Sequence, residues 1–321
     1  MNANFKNLYT SNNPPLQATL MRGSNLESIH KIHAVISDKK GRVLMCAGNP
    51  EYKSFIRSSL KPFQAIPFLS SGAASEINNS SKSIALACGS HNGSKIHTRE
   101  AFKILWAFDI DINYLKCPKL SKSPLEHNCS GKHAAFLATC KKLNLPLDSY
   151  LRRDHPLQKE IFRIISELLE IPLSEICAER DDCGAPTLYM KLLEMAKLYA
   201  LLSSSENAEL EQISRSIIRD PLMISDKNKF DTEIIKASHG QVISKGGAEG
   251  IQCLCKVNEG IGLALKVEDG SKRAKHAVSL HLLKQLEWIS DLRIKDIEDK
   301  ILKFSEGVQI EVKGQLKFQE S

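Results

Sequence analysis

Apolar and polar positions along the chain change their period four times. After a loose lead-in over residues 1–20, "HKIHAVISDKKGRVLMCAGNP" (30–50) carries two apolar runs around the polar turn "SDKKGR", which predicts a β-hairpin. "KPFQAIPFLSSG" (61–72) reads as a helix that starts near Ser58 or Ser59 and closes at Gly72, because Pro62 fits only a first turn. "SKSIALACGSHNGS" (81–94) is an apolar run leading into a glycine-rich turn. From there to about residue 220 the apolar spacing is three and four. The helical segments are "TREAFKILWAFD", "GKHAAFLATCKKLNL", "HPLQKEIFRIISELLEI", "TLYMKLLEMAKLYALLS" and "AELEQISRSIIRD", with breakers at "HNCSG", "NLPLDS" and "DDCGAP". Strand signals then return in "GQVISKGGAEG", "IQCLCKVNEG" and "IGLALKVEDG" (240–270), each bounded by glycine turns. An amphipathic helix, "SKRAKHAVSLHLLKQLEWI" (271–289), follows, and the tail "EGVQIEVKGQLKF" predicts one more hairpin.

This order predicts an α+β fold in which one antiparallel sheet is built from both ends of the chain, with a helical lobe inserted. Residues 1–321 form a single domain: a sheet lobe about 20–90 and 221–321, and a helical lobe about 91–220.

Composition narrows the function classes. The chain is 42% hydrophobic and 25% charged, with a net charge of +7 and no basic block interleaved with aromatics, which argues against a nucleic acid partner. No apolar stretch approaches the ~20 residues of a membrane span. The first residues lack the apolar core of a secretory signal, so a cytoplasmic location is expected. Of nine cysteines, Cys46, Cys88, Cys140, Cys253 and Cys255 sit in apolar runs, as buried reduced thiols do.

The candidate chemistry starts at Ser58 and Lys61 in "RSSLKP". The S-x-x-K spacing also occurs at Ser28–Lys31 and Ser37–Lys40, so it is weak by itself. Here it falls at a helix start, where unpartnered N–H groups and the helix dipole help stabilise an oxyanion. A serine needs a base within reach, and a desolvated lysine can serve. "SHN" (Ser90, His91, Asn92) and "KGG" (Lys245, Gly246, Gly247) follow in the order S-x-x-K, S-x-N, K-x-G of serine β-lactamases and penicillin-binding proteins. Cys129 and Cys183 differ from the other cysteines in lying in polar, glycine-containing turns, "HNCSGKH" and "DDCGAP". With Lys132 they suggest a zinc site, with Asp181 as a supporting neighbour; two free thiols or a disulfide are the alternatives.

Together, "RSSLKPFQ", "CGSHNGS", "EHNCSGKHAAFL", "DDCGAPT", "KFDT" and "KGGAEG" resemble the rhizobial-type, or class 3, L-asparaginase family over most of the chain, from residue 22 to 274. The resemblance implies a β-lactamase-like fold, hydrolysis of L-asparagine to L-aspartate and ammonia, and a homodimer with two Ser–Lys tandems and a bound zinc. Carried over by motif, Ser58 is the nucleophile with Lys61 as its base, and Ser90 belongs to the second tandem. That tandem is completed by Lys245, which takes the K-x-G place, or alternatively by Lys266. Cys129, Lys132 and Cys183 match the zinc ligands, and Asp181 the acid beside them. Arg57, as a clamp on the α-carboxylate, and His91 are candidate substrate-binding residues. The "DDCG" segment departs from the family pattern, in which a glycine commonly precedes the cysteine. A β-lactamase or penicillin-binding-type acyl hydrolase, or a non-catalytic zinc-binding regulator, are the competing classes.

Overall fold

The computed structural model describes residues 13–118 and 123–319. Three strands open the fold: β1 (Leu16–Arg22), β2 (Asn25–Asp38) and β3 (Val43–Ala47). A short strand β4 (Lys53–Phe55) leads to the first helical turns. Far along the chain, β5 (Cys177–Arg180) and β6 (Pro186–Lys191) join β4 in a small sheet of order β4-β6-β5. The closing strands are β7 (Val242–Gly246), β8 (Ile251–Lys256), β9 (Ile261–Val267), β10 (Val308–Lys313) and β11 (Lys317–Phe318).

The main sheet runs β10-β1-β2-β9-β8-β7 and every pairing in it is antiparallel. The long strand β2 organises it. Along one edge, residues 25–32 pair with β1 and residues 34–37 with β3; along the other, residues 32–38 pair with β9. The β2–β3 hairpin forms because Asp38 folds the turn: its Oδ1 accepts from the N–H groups of Lys40 (3.0 Å) and Arg42 (2.9 Å). Strands from both ends of the chain therefore build one sheet, as the order of strand signals predicts.

The period-2 alternation sorts side chains into two cores. Val35, Ile243, Cys253, Cys255 and Ala264 face the inserted helices, while Ala34, Ile36, Val242, Leu254, Leu263 and Leu265 face the C-terminal helices. Both faces of the sheet are covered, so its central strands are apolar on both sides, which an antiparallel sheet with one wet face would not show. The helix Leu192–Ser203 lies against β2, β8 and β9. Gly262 permits this approach, since a Cβ there would sit 2.0 Å from the Ala196 carbonyl oxygen.

Several segments differ from the expectation. Residues 16–20 of the lead-in belong to β1, and residues 1–12 lie outside the described ones. The first residues of "TLYMKLLEMAKLYALLS" are strand, because β6 pairs with both β4 and β5; the helix begins only at Leu192. The tail is no hairpin: β10 pairs with β1 and β11 with β3. The stretch after Ser58 is not one helix. A 3-10 turn (Arg57–Leu60) leads into Lys61–Gln64 and then Ile66–Ser70, and Pro62 and Pro67 each occupy a first turn. A further helix, Asp291–Ile301, buries Ile294 and Ile297 against the second core.

Candidate active site

The turn carrying Ser58 is fixed from three sides. Arg57 holds φ at +53°, a left-handed conformation that costs a residue other than glycine about 1–3 kcal/mol and tends to occur at functional sites. Its N–H donates to Thr187 Oγ1 (3.1 Å), its Nε to Asp181 Oδ1 (2.8 Å) and its Nη2 to Asp182 Oδ2 (2.5 Å). Next, Ser59 is fully buried; its Oγ donates to the Lys245 carbonyl (2.8 Å) and its own carbonyl accepts from Tyr199 OH (2.8 Å). Gly247 closes the third side, since a Cβ there would lie 2.8 Å from the Ile56 carbonyl. The "KGG" glycine is therefore required by contact with the Ser58 turn. Ser58 itself is half-buried, and among the described residues its hydroxyl makes no hydrogen bond.

Ser90 joins two lysines. Its N–H donates to the Ile224 carbonyl (2.7 Å), which anchors the glycine-rich turn. Its Oγ lies 3.0 Å from Lys61 Nζ and 2.9 Å from Lys245 Nζ. Lys61 also donates to the carbonyls of Gly89 (2.5 Å) and Asn128 (3.4 Å); no hydrogen bond joins it to the Ser58 hydroxyl. Lys245 also donates to the Gly246 carbonyl (2.7 Å). Lys266 lies elsewhere and binds the carbonyls of Glu249 (2.6 Å), Val267 (2.6 Å) and Glu268 (3.4 Å). The lysine at Ser90 is thus Lys245.

Burial pushes Lys245 down to about 7, with Lys61 and Lys275 adding repulsion and Asp231 opposing them. Asp231 Oδ2 is 4.0 Å from Lys245 Nζ. Burial pushes Asp231 up, but Lys245, the Gly246 N–H (2.9 Å), Lys275 and Ser244 Oγ (2.7 Å) outweigh it and hold the carboxyl below its usual range. Gln252 Nε2 donates to the same carboxylate (2.8 Å). The sequence pointed to "KFDT" as a segment but gave Asp231 no role; an acid in the first turn of a short helix, Phe230–Ala237, was the available signal.

Cys129, Lys132 and Cys183 meet. Lys132 Nζ donates to Cys183 Sγ (3.2 Å), and all three side chains are buried. Cys129 hydrogen-bonds to Cys183, which holds Cys183 far below and Cys129 well above the usual thiol range; Lys132 and His133 further favour the Cys183 thiolate. Burial pushes Lys132 down, but Cys183, Cys129 and Asp181 outweigh it and raise the ammonium. Beside them His133 is fully buried; its Nδ1 binds Tyr150 OH (2.7 Å) and its ring interacts with Cys183. Among those residues no three His, Cys, Asp or Glu are grouped to hold a metal, so an ion here needs Lys132 as its third protein ligand. Two adjacent buried thiols and a buried lysine, whose amine coordinates once it has lost its proton, fit such an ion. All nine cysteines are unpaired, so the disulfide alternative does not hold.

Two expected roles change. Arg57, expected as a carboxylate clamp, has Nε and Nη2 bound to Asp181 and Asp182 and serves to brace the turn. Asp181 therefore links the Cys183 loop to the Ser58 turn directly. His91 is buried, accepts from Gly93 N–H at Nδ1 (3.1 Å), pairs with Ser130 Oγ through Nε2 (3.1 Å) and stacks on His97 with centroids 4.8 Å apart. Burial, with His97 and Lys61, lowers it well below the usual histidine range, so it stays neutral and acts as packing.

Fold and site together define an α+β protein with a buried lysine–serine–lysine cluster beside a half-buried serine. Residues 18–318 match the model of the L-asparaginase II family, and the chain belongs to that family, a family of amidohydrolases. Among curated proteins none matches the sequence. Solved structures similar to it include Mglu (10% identity, TM-score 0.39, 80% of this chain and 61% of that chain). A Bacillus glutaminase (12%, 0.36, 80% and 91%) and a β-lactamase from Mycobacterium bovis (11%, 0.36, 81% and 95%) are others. The chain thus spans about 61% of the length of Mglu. Among the described residues no helix is long and apolar enough to cross a membrane.

Proposed function

We propose that this protein is an L-asparaginase that hydrolyses the side-chain amide of L-asparagine to L-aspartate and ammonia through an acyl-enzyme on Ser58. The observation that carries the proposal is one hydroxyl, Ser90 Oγ, held at 3.0 and 2.9 Å between two buried lysines that are both tied to the Ser58 turn. With Lys245 brought down to about 7, a neutral amine is available there at physiological pH.

Ser58 Oγ attacks the amide carbon and its proton passes to Lys61. The carbon becomes tetrahedral, and its oxyanion is stabilised by backbone N–H groups of the turn. Breakage of the C–N bond requires a proton on the leaving nitrogen, delivered along Lys245 and Ser90. Ammonia departs and a β-aspartyl ester remains on Ser58. Water, deprotonated over the same lysines, attacks the ester; the C–O bond breaks and Ser58 regains its proton. Asp231 holds Lys245 in place and tunes how easily it gives up its proton. Cys129, Lys132 and Cys183 would hold a zinc ion, which when bound supplies a positive charge able to orient polar groups of a substrate.

The proposal includes a homodimer, which rests on the family resemblance, and a cytoplasmic location, supported by nine unpaired cysteines. Ammonia release from L-asparagine by the purified protein, with L-glutamine and Ser58→Ala alongside, tests it. Release from asparagine that is lost in the variant supports the proposal. Release retained by the variant assigns the chemistry to another group.

A further inference from the structure

A polar pocket of about 430 Å³ lies outside the Ser58–Ser90 centre but shares Asp231 and Gly246 with its surroundings. Its walls carry Lys229, Lys272, Arg273, Lys300 and Lys303, and its floor carries Lys275; among the described residues Asp231 is the one acid lining it. Three of these cations, Lys272, Arg273 and Lys275, occupy the first turn of the helix Lys272–Gln285, and that turn holds no acid. The arrangement runs against helix electrostatics. The N-terminal end of a helix is positive, and cations there are destabilising where anions are favoured. Local rules broken in this way tend to mark functional sites.

Two buried groups make the pocket more than a ring of surface lysines. Lys275 is 6% exposed, and the one hydrogen bond its ammonium makes among the described residues goes to the Gly247 carbonyl (3.0 Å). An ammonium has three protons to place. Gln252 is fully buried; its amide nitrogen is held by Asp231 and Ser244, which fixes the flip, and its Oε1 has no partner among the described residues. Both groups lie against Gly246, where a Cβ would be 2.9 Å from Gln252 Oε1 and 3.0 Å from Lys275 Nζ. A side chain at that position would fill this corner of the pocket.

We propose that this pocket binds hydrogen phosphate at the N-terminal end of the helix Lys272–Gln285. The cations and the free helical N–H groups take the anionic oxygens. Gln252 Oε1 requires a donor from the ligand, and the P–OH group of hydrogen phosphate is one. Sulfate has the same shape and no proton at neutral pH. A phosphate monoester, with its second pKa near ~6, has also lost its proton at pH 7.5. The orphaned acceptor therefore selects free phosphate over both.

Isothermal titration of the full chain with inorganic phosphate at pH 7.5, at ionic strength fixed with chloride, tests this. Sulfate and methyl phosphate are the comparison ligands, and the Lys272→Glu, Lys303→Glu double variant is run beside the wild type. Both changed side chains are exposed, so the variant should fold; an unchanged or higher Tm without ligand confirms it. The expected result is saturable phosphate binding, with sulfate and the monoester weaker by about tenfold or more, as when a buried polar group loses its partner. The double variant should weaken phosphate by a similar factor. Equal affinity for all three ligands would overturn the choice of hydrogen phosphate. An absence of saturable phosphate binding, or phosphate binding unchanged in the double variant, would overturn the site. No readout here depends on asparagine turnover.

Discussion

Replacing Asp231 by asparagine should move the acid limb of the pH–rate profile to lower pH. The carboxylate sits 4.0 Å from Lys245 Nζ and works against the burial that lowers this lysine. Two unit charges at that distance attract by about 4 kcal/mol at an effective dielectric of about 20. That would correspond to about 3 pH units, an upper limit because Asp231 also faces Lys275 and its hydrogen-bonded neighbours can relax. A drop of about one unit or more is expected. The sign follows from the charges: the anion stabilises the protonated amine, so removing it lets Lys245 lose its proton at lower pH. If neutral Lys245 is required, the acid limb of kcat/KM should move from about 7 in the wild type to about 6 or below in the variant. Asparagine is nearly isosteric and its Oδ1 can still accept from Ser244 and Gln252. Its amide nitrogen would face the Gly246 N–H, and that lost acceptor should cost about 1–3 kcal/mol of stability. The assay is ammonia release from L-asparagine between about pH 5 and 9, with thermal unfolding as the check on folding. A folded variant whose acid limb stays near 7, or rises, would refute the role given to the Asp231–Lys245 pair.

Other outcomes follow from the same geometry. Ser90→Ala removes the hydroxyl bridging Lys61 and Lys245, and kcat should fall about 10²- to 10⁴-fold with little change in Tm. Metal analysis of protein purified without chelator should find about one zinc per chain, and Cys183→Ser should reduce it to a small fraction. Gly247→Ala forces a methyl group to 2.8 Å from the Ile56 carbonyl. It should cost about 1–3 kcal/mol by thermal unfolding and lower turnover by displacing Ser58.

The sequence made the sheet legible where the pattern is local. The β2–β3 hairpin rests on an aspartate turn, and β7 to β9 are separated by glycine turns, so near neighbours decide their form. The tail was misread because β10 and β11 have alternating apolar positions like a hairpin, while their partners, β1 and β3, lie more than 250 residues away. Residues 187–191 were read as helix because "TLYMK" joins smoothly to a helical run; pairing with β4 and β5 overrides that propensity. In the site, motif spacing picked out Lys61, Ser90 and Lys245, which the fold brings together, and Ser58 on the adjoining turn. It could not find Asp231, whose place beside Lys245 comes from packing a helix start against the edge strand β7. Nor could it tell that Arg57 is held by Asp181 and Asp182, because that ion pair joins residues more than a hundred positions apart. Charge alone suggested a substrate clamp; geometry makes it a brace.

The central claim is that Ser58 carries the aspartyl group of L-asparagine as an ester. It is tested most directly by supplying hydroxylamine during turnover and measuring β-aspartyl hydroxamate together with ammonia. An acyl-enzyme can be intercepted by the stronger nucleophile, so the account predicts hydroxamate formed at the expense of aspartate, and neither product from Ser58→Ala. Ammonia release with no hydroxamate at any hydroxylamine concentration, or hydroxamate formed equally well by Ser58→Ala, would contradict it.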